Sequence, residues 1–269
     1  MEKIDIVTLF PFLKNIKFLD PTLTLGGAFS PFFVFSFGVF VALCLRKLFH
    51  CSIFRILFLY IWHSIFCLVY FVYELMVGGD PLMYYGLIAQ DIMQKVMESS
   101  PVFLSFFQTG TAAVFSLTMW FKNVLGFSFL AVFLVFNIFG FVGLASFDSS
   151  LREITSNNSL RIKRLATFIV LLPSVSFWSS AIGKDSITFM AASLALWAAL
   201  KLQSRKLILA FAILAMLFAR PHMAGIMVVS LGLGFVATGC FFVVVLVTFF
   251  GSFLTIGSCF LVTLSLLGL

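Results

Sequence analysis

Three short stretches carry the residues of this chain best suited to chemistry. Asp80 stands in "GGDPLMYY", with two glycines before it and Tyr84 and Tyr85 after it. Lys184 and Asp185 are neighbours in "FWSSAIGKDS", and Arg220 and His222 lie in "LFARPHM". Brought together, an acid, two strong cations and aromatic hydroxyls would suit an anionic group and leave a carboxylate free to act as a base. Taken singly, each stretch has a plainer use. Asp80-Pro81 can start a turn or cap a helix, Lys184-Asp185 can be a hairpin turn with its own ion pair, and Arg220-Pro221 can end a helix with a snorkelling arginine. Their meaning depends on whether the elements between them deliver them to one place.

Composition sets those elements. The chain is 62% hydrophobic and only 10% charged, with 38 phenylalanines in 269 residues. Soluble domains carry about 25% charged residues, so this chain cannot cover a water-facing surface. Apolar runs near the roughly 20 residues needed to cross a hydrocarbon core recur from end to end. They are continuous, without the alternation of membrane barrel strands. The expected fold is all-α, a polytopic transmembrane helical bundle. The net charge of +7 owes most to basic residues clustered in short interruptions: Arg46, Lys47 and Arg55; Arg152, Arg161, Lys163 and Arg164; Lys201, Arg205 and Lys206. Under the positive-inside rule these are cytoplasmic loops, which argues against nucleic acid as a partner. Cys44, Cys51, Cys67, Cys240 and Cys259 are scattered without a CxxC pair and read as small packing residues.

Residues 1–28 form an amphipathic segment suited to the membrane interface, and residues 29–269 are read as a single transmembrane domain. Spans are expected over about 29–45, 56–77, 124–147, 165–183, 186–200 and 207–219. Two more around Gly239 or Gly251 bring the count to about eight. Parity places residues 101–121 along the outer interface, giving a helical first outer loop. The chain stops inside an apolar run, as a C-terminally truncated protein would.

With the basic loops inside, Asp80, Lys184-Asp185 and Arg220-His222 all fall on the outer side. The run 207–219 covers only about 20 Å as a helix, against a core of about 30 Å. Arg220 should therefore lie at or beneath the outer boundary. A cation at mid-membrane costs about 2.5–3.5 kcal/mol, which calls for a partner or a wet cavity. Glu74 is a candidate second acid near the same surface. His63 is expected to hydrogen-bond a neighbouring helix, as are Asn137, Ser230 and Thr238. Asp80, Asp91 and Glu98 offer no recognisable metal cage, so neither metal nor cofactor is expected.

The span ending in Gly-Gly-Asp and followed by paired tyrosines resembles the first outer loop of GT-C-type membrane glycosyltransferases, in the protein-mannosyltransferase-like branch. "LPSVSFWSSAIGKDS" resembles a further stretch of bacterial members, and "ARPH" is similar to a later arginine that holds a lipid phosphate. The resemblance covers about residues 56–235. It departs from the family in having fewer spans and no soluble outer domain after them. It implies Asp80 as the catalytic carboxylate. Tyr84, Tyr85, Lys184, Asp185, Arg220 and His222 would bind the substrate, a polyprenyl-phosphate sugar drawn from the bilayer. The acceptor would be a glycan, lipid or protein hydroxyl, at the outer face of a bacterial inner membrane. The readings from other classes are an exopolysaccharide polymerase or flippase, which would use the same lipid-linked substrates, and a small-solute transporter lined by the buried charges.

Overall fold

The computed structural model describes residues 25–86 and 109–236. Every regular element among the described residues is helical: α1 (Leu25–Leu48), α2 (Ile53–Val77), α3 (Asp80–Tyr85), α4 (Thr111–Asn123), α5 (Phe129–Ile154), α6 (Leu160–Val170), α7 (Pro173–Ser179), α8 (Lys184–Ala199), α9 (Leu202–Ala219) and α10 (Pro221–Val236). Four of them are long and apolar enough to cross a membrane: α1 from Phe29, α2, α5 and α9. At 25 residues, α2 reaches about 37 Å. Residues 1–24, 87–108 and 237–269 lie outside the described part. With them lie most of the expected N-terminal segment, the first half of the interfacial loop and the part of the two final spans beyond residue 236.

The helices are arranged around α5 and α8. α5 is buried along most of its length, and α8 is buried almost continuously from Ser186 to Ala198. Gly143 lets them approach, because a Cβ there would sit 2.6 Å from the Phe189 ring and 2.9 Å from the Met190 Cα. Around this pair, α1, α2 and α9 turn bulky side chains outward, including Phe32, Phe40, Phe54 and Phe211. Outward apolar faces around a packed centre suit a lipid environment. The central place of α8 also explains its length. A helix enclosed by protein can be short and can carry Ser186, Thr188 and Ser193.

Two expectations need correction. Residues 165–183 are not one span but two short helices, because Pro173 pushes Leu172 out of the helical region, to φ −58° and ψ 124°. Residues 148–154, expected in a basic loop, are instead the last turns of α5.

Those turns hold the end of the bundle away from Asp80. The buried Asp148 carboxylate accepts from Arg55 Nη2 at 2.6 Å and from Arg152 Nε at 2.9 Å. Arg152 also donates to the carbonyls of Phe49 and His50, closing the turn between α1 and α2. One turn on, Glu153 pairs with Lys201 at 2.8 Å and Arg205 at 3.0 Å. The Arg205 guanidinium lies over the Trp197 ring, 3.9 Å from its centroid. Four of the cations read only as loop charge thus join the ends of α1 and α5 to the starts of α2 and α9.

Candidate functional site

The glycine pair before Asp80 builds the turn that presents it. Gly78 has φ +77°, a left-handed conformation that side chains disfavour, and its N–H donates to the Glu74 carbonyl. Gly79 has a different task. A Cβ there would meet the Glu74 carboxylate oxygens at 3.0 and 3.1 Å, so the missing side chain leaves room for them. Glu74 is buried, and its Oε1 accepts the Leu82 N–H at 3.2 Å. It therefore caps the first turn of α3, which gives the candidate second acid a positioning role. Asp80 emerges exposed at the start of α3.

Tyr84 lies one turn after Asp80, on the same face. Its ring is buried edge-on against Phe115, with centroids 4.8 Å apart. Tyr85 is committed to packing. Its hydroxyl donates to the Phe127 carbonyl at 2.9 Å, and Lys122 donates to its own carbonyl while lying over its ring.

The second wall comes from α4. Its start is fixed to the end of α9, because the Gly110 N–H donates to the Phe218 carbonyl at 2.8 Å. Thr111 then accepts from Lys184 Nζ at 3.0 Å. On the third side, Arg220 ends α9 and pairs with Asp185 at 2.5 Å. Lys184 and Asp185 therefore do not satisfy each other as a hairpin ion pair would. Each reaches across to a different helix. His222 is exposed in the first turn of α10, two residues beyond Arg220.

Electrostatics tie the cluster together. Burial raises the Asp185 carboxyl above its ordinary range, and the Asp80 charge adds to this against the opposing pull of Arg220 and Lys184. Burial also pushes the Tyr84 phenol up to about 12, reinforced by Asp80 and Asp185 and countered by Thr111 and Arg220. Asp80, Tyr84, Lys184, Asp185 and Arg220 thus share one electrostatic neighbourhood. Three helices of at least two turns, α4, α8 and α10, also begin here. Neither Gly110 nor Gly183 supplies a side-chain cap to α4 or α8. Free N–H groups and the positive ends of helix dipoles therefore face the same region as Lys184 and Arg220. The arrangement can hold an anionic group beside a solvent-reachable carboxylate.

Of the residues expected in a site, Asp80, Tyr84, Lys184, Asp185 and Arg220 are brought together, His222 flanks them, and Tyr85 packs away into α4 and α5. Thr111 was not anticipated. Its only sequence signal is a glycine and a hydroxyl residue opening the apolar run "GTAAVFSL". Asp91 and Glu98 lie outside the described residues, and among the described ones no group of three His, Cys, Asp or Glu is placed to hold a metal ion. Elsewhere, Asn137 donates to Ser64 across α5 and α2 at 3.0 Å. The His63 nitrogens find no hydrogen-bond partner, in contrast to the interhelical bond expected of them. No family model, curated protein or solved structure matches this chain.

Proposed function

We propose that this chain is a membrane glycosyltransferase of the GT-C type, moving a sugar from a polyprenyl-phosphate donor to an acceptor hydroxyl. In this reading it is a multi-pass protein of a bacterial inner membrane, with about eight spans and the Asp80 end facing the outer leaflet. The observation that carries the reading is the meeting of Asp80, Lys184, Asp185 and Arg220, from three separate helix ends, at one place. The basic clusters gathered at the opposite end support the orientation.

The donor enters from the bilayer with its phosphate against Lys184 and Arg220. Asp80 accepts the proton of the acceptor hydroxyl as its oxygen attacks the anomeric carbon. The new glycosidic C–O bond forms while the bond from that carbon to the phosphate oxygen breaks. The electron pair leaves with the polyprenyl phosphate, whose growing charge the two cations stabilise. A metal is not required by this scheme, because the cations and helix N-termini already face the leaving oxygen.

General-base catalysis contributes about 10²–10⁴-fold. Asp80→Asn should lower sugar transfer by at least the smaller factor, in membranes supplied with a polyprenyl-phosphate sugar, at unchanged protein level. Undiminished transfer in that variant would sink the assignment.

A further inference from the structure

At the end of the bundle away from Asp80, α6 has two faces with different surroundings. Ala166 and Val170 are buried, and the helix packs against α5. Thr167 fastens it to α2, accepting from Arg55 Nη2 at 3.2 Å and donating to the Lys163 carbonyl at 3.1 Å. The outward face carries Arg161, Arg164, Leu165 and Phe168, whose spacing of three and four residues places them in one stripe. All four are exposed, Leu165 at 58% and Phe168 at 64%. Chemistry changes along that stripe. Each arginine stands about 6 Å, one turn, before an apolar side chain: Arg161 before Leu165, and Arg164 before Phe168.

The positive charge here has no internal answer. The acids at this end, Asp148 and Glu153, each already pair with two cations. Arg161, Lys163 and Arg164 pair with no carboxylate among the described residues. Ser159 supplies no side-chain cap to α6, so free N–H groups and the positive end of the helix dipole lie beside the same cations. A soluble anion would answer the arginines and leave Leu165 and Phe168 bare. A zwitterionic lipid would cover the apolar residues and leave the net charge unbalanced. We propose that this stripe of α6 binds an anionic phospholipid, with the head group at Arg161 and Arg164 and an acyl chain along Leu165 and Phe168. The site lies apart from Asp80 and does not depend on the glycosyltransferase reading.

The test is native mass spectrometry of the full chain in detergent, titrated with phosphatidylglycerol or phosphatidylcholine of matched acyl chains. Phosphatidylglycerol should bind the wild type more tightly. A basic residue near an anionic lipid surface is worth about fivefold in affinity, so Arg161→Gln with Arg164→Gln should weaken phosphatidylglycerol about thirtyfold. Arg161→Lys with Arg164→Lys should keep most of the preference, since the charges remain. Phe168→Ser should weaken phosphatidylglycerol with both arginines in place, and an unchanged affinity would remove the acyl chain from the site. Lys47→Gln with Lys206→Gln takes the same charge from exposed positions outside the stripe and should cost far less. Equal affinity for the two lipids in the wild type, or equal losses in the arginine and lysine pairs, would overturn the proposal. So would displacement by glycerol 3-phosphate at comparable concentration, which would assign the face to free phosphate. Displacement by a polyglutamate peptide would assign it to an acidic protein segment and overturn the proposal equally.

Discussion

Gly140 offers the most searching test of how the bundle positions its site. It lies midway along α5, where that helix meets α2 and α7. A Cβ at Gly140 would sit 2.6 Å from His63 Nε2 and 2.9 Å from the Ser179 carbonyl carbon, and nearer still to the Ser179 carbonyl oxygen. Relaxed carbon–carbon contacts fall at about 3.5–4.0 Å, so Gly140→Ala demands a retreat of at least roughly 0.6–1.1 Å from the carbonyl carbon, and more from its oxygen. Two of the obstructing atoms are backbone, so no rotamer change relieves them. Overpacking of this kind costs about 1–3 kcal/mol, or roughly 2–12 °C in the unfolding midpoint for a chain of this size. The displaced helix is α7, whose end leads through residues 180–183 to Lys184 and Asp185. A shift near 1 Å at reacting groups can cost about 10²-fold in rate. Thermal unfolding in detergent and sugar transfer in proteoliposomes should therefore fall together. Gly183→Ala is the control. Its backbone is extended at φ 164°, nothing lies within 4 Å of the added methyl, and its midpoint should stay near that of the wild type. Wild-type stability and transfer in Gly140→Ala would refute the packing account.

Two further outcomes test the polar contacts at either end. Asp148→Ala strips the shared acceptor from Arg55 and Arg152. Breaking a buried pair costs about 3–5 kcal/mol, but these two side chains are 30% and 32% exposed and can rehydrate. A loss of about 2–3 kcal/mol is expected in denaturant unfolding, and a loss under about 1 kcal/mol would show that the cluster is not structural. Asp185 gives a pH signature. Its carboxyl titrates higher in the fold than in the unfolded chain, chiefly through burial. Its protonated form is therefore favoured by folding, and that stability is complete below the ordinary aspartate value of about 4. It is lost as pH rises through the higher folded value. Wild-type stability relative to Asp185→Asn should fall across that window, and a rise would mean that Arg220 outweighs burial.

Helix class was legible because a chain with 10% charge has no way to fold except with apolar faces outward. The ends of α1, α2 and α9 were legible for a related reason, since glycine, proline and charge stop an apolar run wherever they occur. Other features were hidden by the same uniformity. α8 reads as a short, weak span, and nothing in its sequence says that it is the centre of the bundle. Only Gly143 hints at close approach, and glycine is common enough in membrane helices to carry little signal. Asp148 and Glu153 were lost among basic residues because a count of loop charge ignores which acids are buried among them. At the site, the three charged stretches were visible as types, whereas their pairing was not. Spacing suggested Lys184 with Asp185, but Lys184 is held by Thr111 and Asp185 by Arg220. Neighbours in sequence at a helix start point about 100° apart, so partners on other helices win.

The two polar ends are joined by one element. α8 starts at Lys184 and Asp185, in the candidate site, and ends beside Trp197, which packs edge-on against Phe49 and lies under Arg205. Between them it is gripped by α5 through Gly143 and flanked by α9, while α9 itself ends at Arg220. The antiparallel pair α8–α9 therefore behaves as a strut anchored at the Asp148–Glu153 end, with both of its free tips supplying the cations of the site. The ion pair of Arg220 with Asp185 ties those tips together across the two helices. Such a design keeps the cations in register without a rigid outer loop. It also puts the partly exposed Asp185 carboxylate to use, since held against Arg220 it reserves the position that a phosphate oxygen would take. If the chain is the glycosyltransferase proposed above, Asp185 stands where a donor phosphate oxygen would bind, and Asp80, outside that ion pair, would keep its carboxylate available to the acceptor.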